Sequence, residues 1–417
     1  MPDEFSVPSA PGVIQEIVEQ HAEEAAFLWC LRDSATDQPH FTVRQLAELD
    51  DRVEAHLDGL RVAGEVGLKI ASAHLEQYGG SGELFSMSTL ALEDRREPVV
   101  ESVLDLAEHA PESWRGLFGA IGWVSADALR GRAATWLDAR AGFRRLLGVV
   151  ACSLHRVDPR SKLDALLNDE PLVRRRALRL AGELGRVDLR DRLAPALNSE
   201  DDGCRFWASW SAGLLGERRA TVPVLQAFAI REGPFKWLAL DLVVRLMDRE
   251  SVIAWLRELA KDATQARLVV VGAGVLGDPV AVSWLIEKMG QPALARVAGE
   301  SFSMITGMDV SEHSLEGAPP EEFTANPTDE SSDEKVTIDR DENLSWPDLA
   351  KVRAWWGSEE RRFAVGVRHL RGVPLTRESC EAVLREGRQR QRRAAAYELA
   401  LMRAAGHLWN WRARSRR

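Results

Sequence analysis

This chain of 417 residues has only two tyrosines and four cysteines, and nowhere does it string 18 apolar residues together. The missing apolar run excludes a membrane-spanning helix. Cys30, Cys152, Cys204 and Cys380 stand singly with no C-x-x-C, which excludes a paired-thiol redox motif and a zinc knuckle; reduced, buried thiols are expected. Basic residues are missing from the opening MPDEFSVPSAPG and no apolar stretch follows it, so a cytoplasmic setting is expected. Strand-length alternation is absent too. With Ala, Leu and Arg abundant, that leaves an all-α fold.

Catalytic signatures are as scarce. No H-E-x-x-H, G-x-S-x-G or G-x-x-x-x-G-K-[ST] occurs. One G-x-G-x-x-G does, from Gly272 to Gly277 in VVVGAGVLGDP (269–279). A dinucleotide site needs a strand before such glycines and a helix opening within them. Here helical spacing runs up to the glycines, so they are expected to end a helix. No catalytic, cofactor-binding or metal-ligating residue is assigned, no cofactor is expected, and the chain reads as a non-enzyme.

What the chain has is a beat. Trp123, Leu154, Leu184, Leu215, Leu246 and Leu276 fall 31, 30, 31, 31 and 30 residues apart. Such a period marks stacked repeats, none of which can bury its apolar face alone. PLVRRRALRLAGELG (171–185) aligns without gaps over DGCRFWASWSAGLLG (202–216), and Gly185, Gly216 and Gly277 suit the left-handed residue that closes a helix. Second helices follow at 189–198, 221–230, 251–262 and 280–289, with Ser251 as a candidate N-cap. The pattern resembles HEAT-type helical hairpins in their short form. The resemblance implies an α-solenoid of period about 31, with helical N- and C-terminal caps. Asp169…Arg174 and Asp201…Arg205 resemble the Asp–Arg ladder of that class, read as structural. None of the nine histidines precedes a Glu, so the His-Glu pairs of HEAT-type di-iron hydroxylases are missing.

Four regions follow. Residues 1–90 form an N-terminal helical region, with an amphipathic helix over 11–35 and a second helix capped by Thr42. The repeat array spans 91–308. Residues 309–345 carry 12 acids against Lys335 and Arg340, a composition too polar to offset ordering entropy, so mostly disordered chain is expected. Residues 346–417 are basic and helical, with Ser345 as cap of the first helix and a long helix over 385–406.

LDDRVEAHLDGLRVAG (49–64), AGESFSMITG (298–307), GVRHLRGVPL (366–375) and GRQRQRRAAAYELAL (387–401) occur together here. In that combination the chain resembles an uncharacterised family of bacterial HEAT-like proteins, some of them encoded near type VI secretion genes. The resemblance implies a secretion setting but no reaction, because the family offers no catalytic residues to carry across.

Two features are candidates for partner binding. Trp255 and Trp284 lie 29 residues apart on successive second helices, which in HEAT-type stacks line the concave face; most of the 14 tryptophans are otherwise expected in the core. Arg388 and Arg392 belong to a basic run that could meet phosphates, remain a solvated face, or hold the acidic segment nearby. The favoured function is a non-enzymatic scaffold or adaptor for another protein. Alternatives are a nucleic-acid-binding, glycosylase-like HEAT protein, against which the lack of basic charge in the array weighs, a bilin-lyase-like activity, and a toxin-neutralising immunity protein.

Overall fold

The computed structural model describes residues 13–321, 323, 339–402 and 406–414. Among them are 21 α-helices and one pair of two-residue strands, an all-α protein with no helix long and apolar enough to cross a membrane. The chain divides into two units. One holds Met1–Asp37, Phe41–Leu180 and Arg412–Arg417, the other Gln38–His40 and Ala181–Trp411.

In the first unit, Thr42 caps Val43–Val62 with a full capping box through Gln45. Leu46, Leu49, Val53, Leu57 and Leu60 go inward, on the expected face. Helix Gln15–Ala35 turns otherwise. Ile14, Ile17, Phe27 and Leu31 are exposed, while Val18, Ala22, Ala25, Ala26, Leu28 and Trp29 are buried. Its alanines let the neighbouring helix approach closely beside Val18, Leu28 and Trp29, which leaves Ile17, Phe27 and Leu31 outside that contact. Cys30 is exposed as well, contrary to expectation, and the other three thiols are buried. Arg32 is buried against Asp50 at 2.6 Å and donates to the carbonyls of Arg412 (2.8 Å) and Ala413 (3.1 Å).

His21 and His56 meet at 3.1 Å through their Nδ1 atoms. Burial and then the facing His21 lower the His56 pKa; Glu24 pulls it up and Arg52 down. A histidine whose pKa is lowered in the fold is held neutral, so its stabilisation is present above the ordinary value and is lost as pH falls from there through the lowered folded value. Acidifying from about pH 7.5 to 5.5 should therefore lower the thermal midpoint, and His56→Gln should reduce that slope. An equal slope in the variant would disprove the coupling.

One series of helices ends at Trp123, His155, Glu183, Leu214, Leu246, Leu276 and Thr306, spaced 32, 28, 31, 32, 30 and 30 residues apart. The leucine beat therefore tracks helix ends. Gly185, Gly216 and Gly277 take positive φ there, as expected, and Gly307 joins them. Gly272 and Gly274 are buried inside helix Ala266–Leu276, so no dinucleotide loop forms. In the second unit the aromatic core is dense: Phe206 stacks on Phe235 at 4.3 Å and meets Phe228 at 5.4 Å.

Local details differ from expectation where a nearer group wins. Asp248, not Ser251, caps Arg249–Leu259, and Asp348, not Ser345, caps Leu349–Glu359; a carboxylate accepts the first-turn N–H groups in each case. Residues 187–198 break into short 3-10 and α turns around Pro195, which has no N–H to give. The long basic helix is two, Arg377–Glu386 and Gln389–Leu401, parted by extended Gly387 and Arg388. Asp169 pairs with Arg145 of helix Gly142–His155, at 2.7 Å through both oxygens, instead of with Arg174. Those bonds hold the Asp169 carboxyl below its usual range. Asp201 caps its own helix by accepting from the Cys204 N–H.

The acidic segment divides. Residues 322 and 324–338 lie outside the described residues. Its two ends are placed, which its composition did not suggest. Asp341 is buried and takes both Arg267 Nη atoms at 2.7 and 2.5 Å, while Arg296 binds Asp339 at 2.6 Å and the Asp341 carbonyl at 2.9 Å.

A β-hairpin closes the ends of helices Ala266–Leu276 and Pro292–Thr306. His369–Leu370 pairs antiparallel with Val373–Pro374 across Arg371 and Gly372, both at positive φ as a tight two-residue turn requires. His369 N donates to the Gly277 carbonyl at 2.7 Å, and Arg371 N to the Met304 carbonyl at 2.8 Å. A Cβ at Gly277 would fall 2.5 Å from the His369 oxygen, and one at Gly307 2.6 Å from that of Arg371. These two glycines serve both the helix end and the close approach.

Candidate binding site

Short helix Arg132–Leu137 in the first unit presents two faces to two hollows. Arg132, Thr135, Trp136 and Ala139, spaced as one helix face, line a cleft of about 450 Å³. Ala133, Ala134 and Leu137 lie on the other face and line a groove of about 360 Å³ with Leu129, Ala151 and Cys152. Arg130 lines both.

The cleft is a nest of arginines. Arg144 gives Nη2 to Glu101 and Asp105, both at 2.8 Å, while its buried Nη1 has no acceptor. Glu97 Oε2 stands 2.9 Å from Arg132 Nη1 without the alignment of a hydrogen bond, and Arg132 Nε and Nη1 are both buried without an acceptor. Arg130 pairs with Asp127, whose carbonyl accepts from Arg95 at 3.1 Å. The guanidinium side is the buried one: Arg132 and Arg144 are 11% and 13% exposed, Glu97 and Asp105 64% and 69%. Buried charged donors lacking acceptors cost about 1–3 kcal/mol each, which an incoming acceptor would recover.

The groove is apolar and its chemistry is quiet. Burial pushes the Cys152 thiol up to about 11, so it stays protonated at neutral pH and is no nucleophile. His155 donates Nε2–H to the Ile121 carbonyl at 2.7 Å.

Trp255 and Trp284 sit in the second unit, each half-buried against the cluster of Leu240, Leu256 and Val269, and Lys288 Nζ lies 5.5 Å from the Trp284 ring. They divide between core and surface. Trp207 is packed among Phe206, Trp210 and Phe235, and Trp355 and Trp356 pack on Phe363. Arg388 pairs with Asp309 at 2.9 Å and Glu312 at 2.8 Å, both in the acidic segment. Arg392 donates to the Leu384 carbonyl at 2.9 Å and to Gln389 Oε1 at 2.5 Å. Both arginines are thus engaged within the chain, and nearby Arg393 binds Asp241 at 2.7 Å.

Sequence reading did not single out Arg95, Arg130, Arg132 or Arg144. They stand in no motif, and only the fold gathers them. No protein-family model, no curated protein and no solved structure matches this chain.

Proposed function

We propose that the chain is a HEAT-like α-solenoid that serves as a non-enzymatic scaffold, binding another protein. The regular spacing of helix ends carries the reading. Within each unit a hairpin's first helix packs on the next one: Ser81–Asp94 on Trp114–Trp123 and that on Gly142–His155, then Lys236–Leu246 on Ala266–Leu276 and that on Pro292–Thr306. Second helices pack on first ones, as Thr221–Ile230 does on Asp202–Leu214 and Val282–Lys288 on Pro292–Thr306. Arrays of this kind offer long side-chain surfaces suited to protein partners. The resemblance to HEAT-like proteins encoded near type VI secretion genes points the search for that partner to secretion components.

The half-exposed indoles are the test. Trp255→Ala and Trp284→Ala should each cost about 1–3 kcal/mol in stability, less than a fully buried Trp. They should also abolish capture of a specific protein by the immobilised chain from native cells, read by mass spectrometry. A variant that keeps the captured protein removes the indole face from the interface. Recovery of nuclease-sensitive material alone would favour a nucleic-acid role.

A further inference from the structure

We propose that the arginine cleft and the alanine-lined groove flanking Arg132–Leu137 form one docking site for a short acidic peptide, with carboxylates in the cleft and an apolar side chain in the groove. This rests on the scaffold reading and names the chemistry of the partner.

Three observations support it. First, the cleft holds two mostly buried cations, Arg132 and Arg144, while its acids Glu97, Glu101 and Asp127 are more exposed, at 64%, 43% and 68%. Arg132 and Arg144 hold buried N–H groups without acceptors, and the acid beside Arg132 is the exposed, misaligned Glu97. A peptide carboxylate that displaced Glu97 would meet donors already oriented by the fold, a fork geometry suited to carboxylates. Second, the two hollows share Arg130 and are separated by one helix. An extended peptide advances about 3.3 Å per residue and the helix is about 10 Å across, so the apolar residue and the acid should lie about three residues apart. Third, arginines elsewhere in the chain already hold acids of one of its own segments. Arg267 and Arg296 hold Asp341 and Asp339, and the Trp346 and Phe323 rings cover the Arg296 guanidinium at 4.6 and 5.0 Å. A polyanion fits less well, because Glu97, Glu101 and Asp127 line the cleft and repel continuous negative charge.

The test selects peptides from a random displayed library against the intact chain, then measures labelled synthetic copies by fluorescence anisotropy. Selected peptides should pair an acid with an apolar residue about three positions away. Arg132→Gln and Arg144→Gln should weaken binding by about tenfold or more, one or two charge-assisted bonds' worth. Glu97→Gln should tighten binding severalfold, a gain that misfolding cannot imitate. Ala134→Trp should block it by filling the groove. No selected peptide, peptides without acids, or equal binding to both arginine variants would overturn the proposal. Peptides that ignore the arginine variants but are lost on Trp255→Ala would leave the scaffold reading standing and remove this site.

Discussion

Glu398→Ala should lower the stability of the second unit by about 3–5 kcal/mol, the cost of stranding a buried charge. Glu398 accepts from Arg245 Nε at 2.8 Å and from Arg368 Nη2 at 2.6 Å. Arg245 is 2% exposed, and its other partner, Asp241, is shared with Arg393. Burial alone would raise the Asp241 carboxyl, but the charges of Arg245 and Arg393 outweigh it and hold it below the usual range. Without Glu398, Arg245 falls back on Asp241, which Arg393 shares, and Arg368 falls back on the Leu276 and Val275 carbonyls. Urea unfolding should show the loss in full for alanine and a smaller loss for Glu398→Gln, which keeps an acceptor. A loss under about 1 kcal/mol for alanine would mean that the network is solvated after all.

The second large effect falls on Arg32 in the first unit. Asp50→Ala should again cost about 3–5 kcal/mol, because Arg32 stays buried with only two carbonyls to receive its N–H groups. The paired change Arg32→Met with Asp50→Leu should recover most of the loss, since an apolar pair of similar volume needs no counter-charge. If the double variant is as unstable as the single, packing around Trp123 is the cause, and the ion pair is not. The Arg32 guanidinium lies 5.8 Å from that ring, and Arg414 lies 4.7 Å from it.

Much of the fold could be read from residue spacing. The leucine beat falls within one residue of the helix ends at Trp123, His155, Glu183, Leu214, Leu246 and Leu276, and after Glu183, Leu214 and Leu276 a glycine at positive φ closes the turn. Thr42 was legible for the same local reason: a hydroxyl three residues before Gln45 makes a capping box. What failed was decided by distant neighbours. On Gln15–Ala35, Val18 and Leu28 of the apolar stripe are buried together with the alanines, but Ile17, Phe27 and Leu31 are left outside. The ends of the acidic segment fold because Arg267, Arg296 and Arg388 meet their carboxylates, and composition carries no record of such pairings. The arginine cleft was invisible for the same reason: its members come from separate helices and turns between residues 95 and 144.

The most direct test of the scaffold account is a calorimetric titration of the intact chain with the purified protein it captures, set beside a labelled duplex at low salt. Saturable 1:1 binding to the protein, weakened at least about tenfold in the Trp255→Ala/Trp284→Ala variant, with a flat duplex titration, is the expected result. Tight binding to the duplex with no heat from the protein would contradict the account.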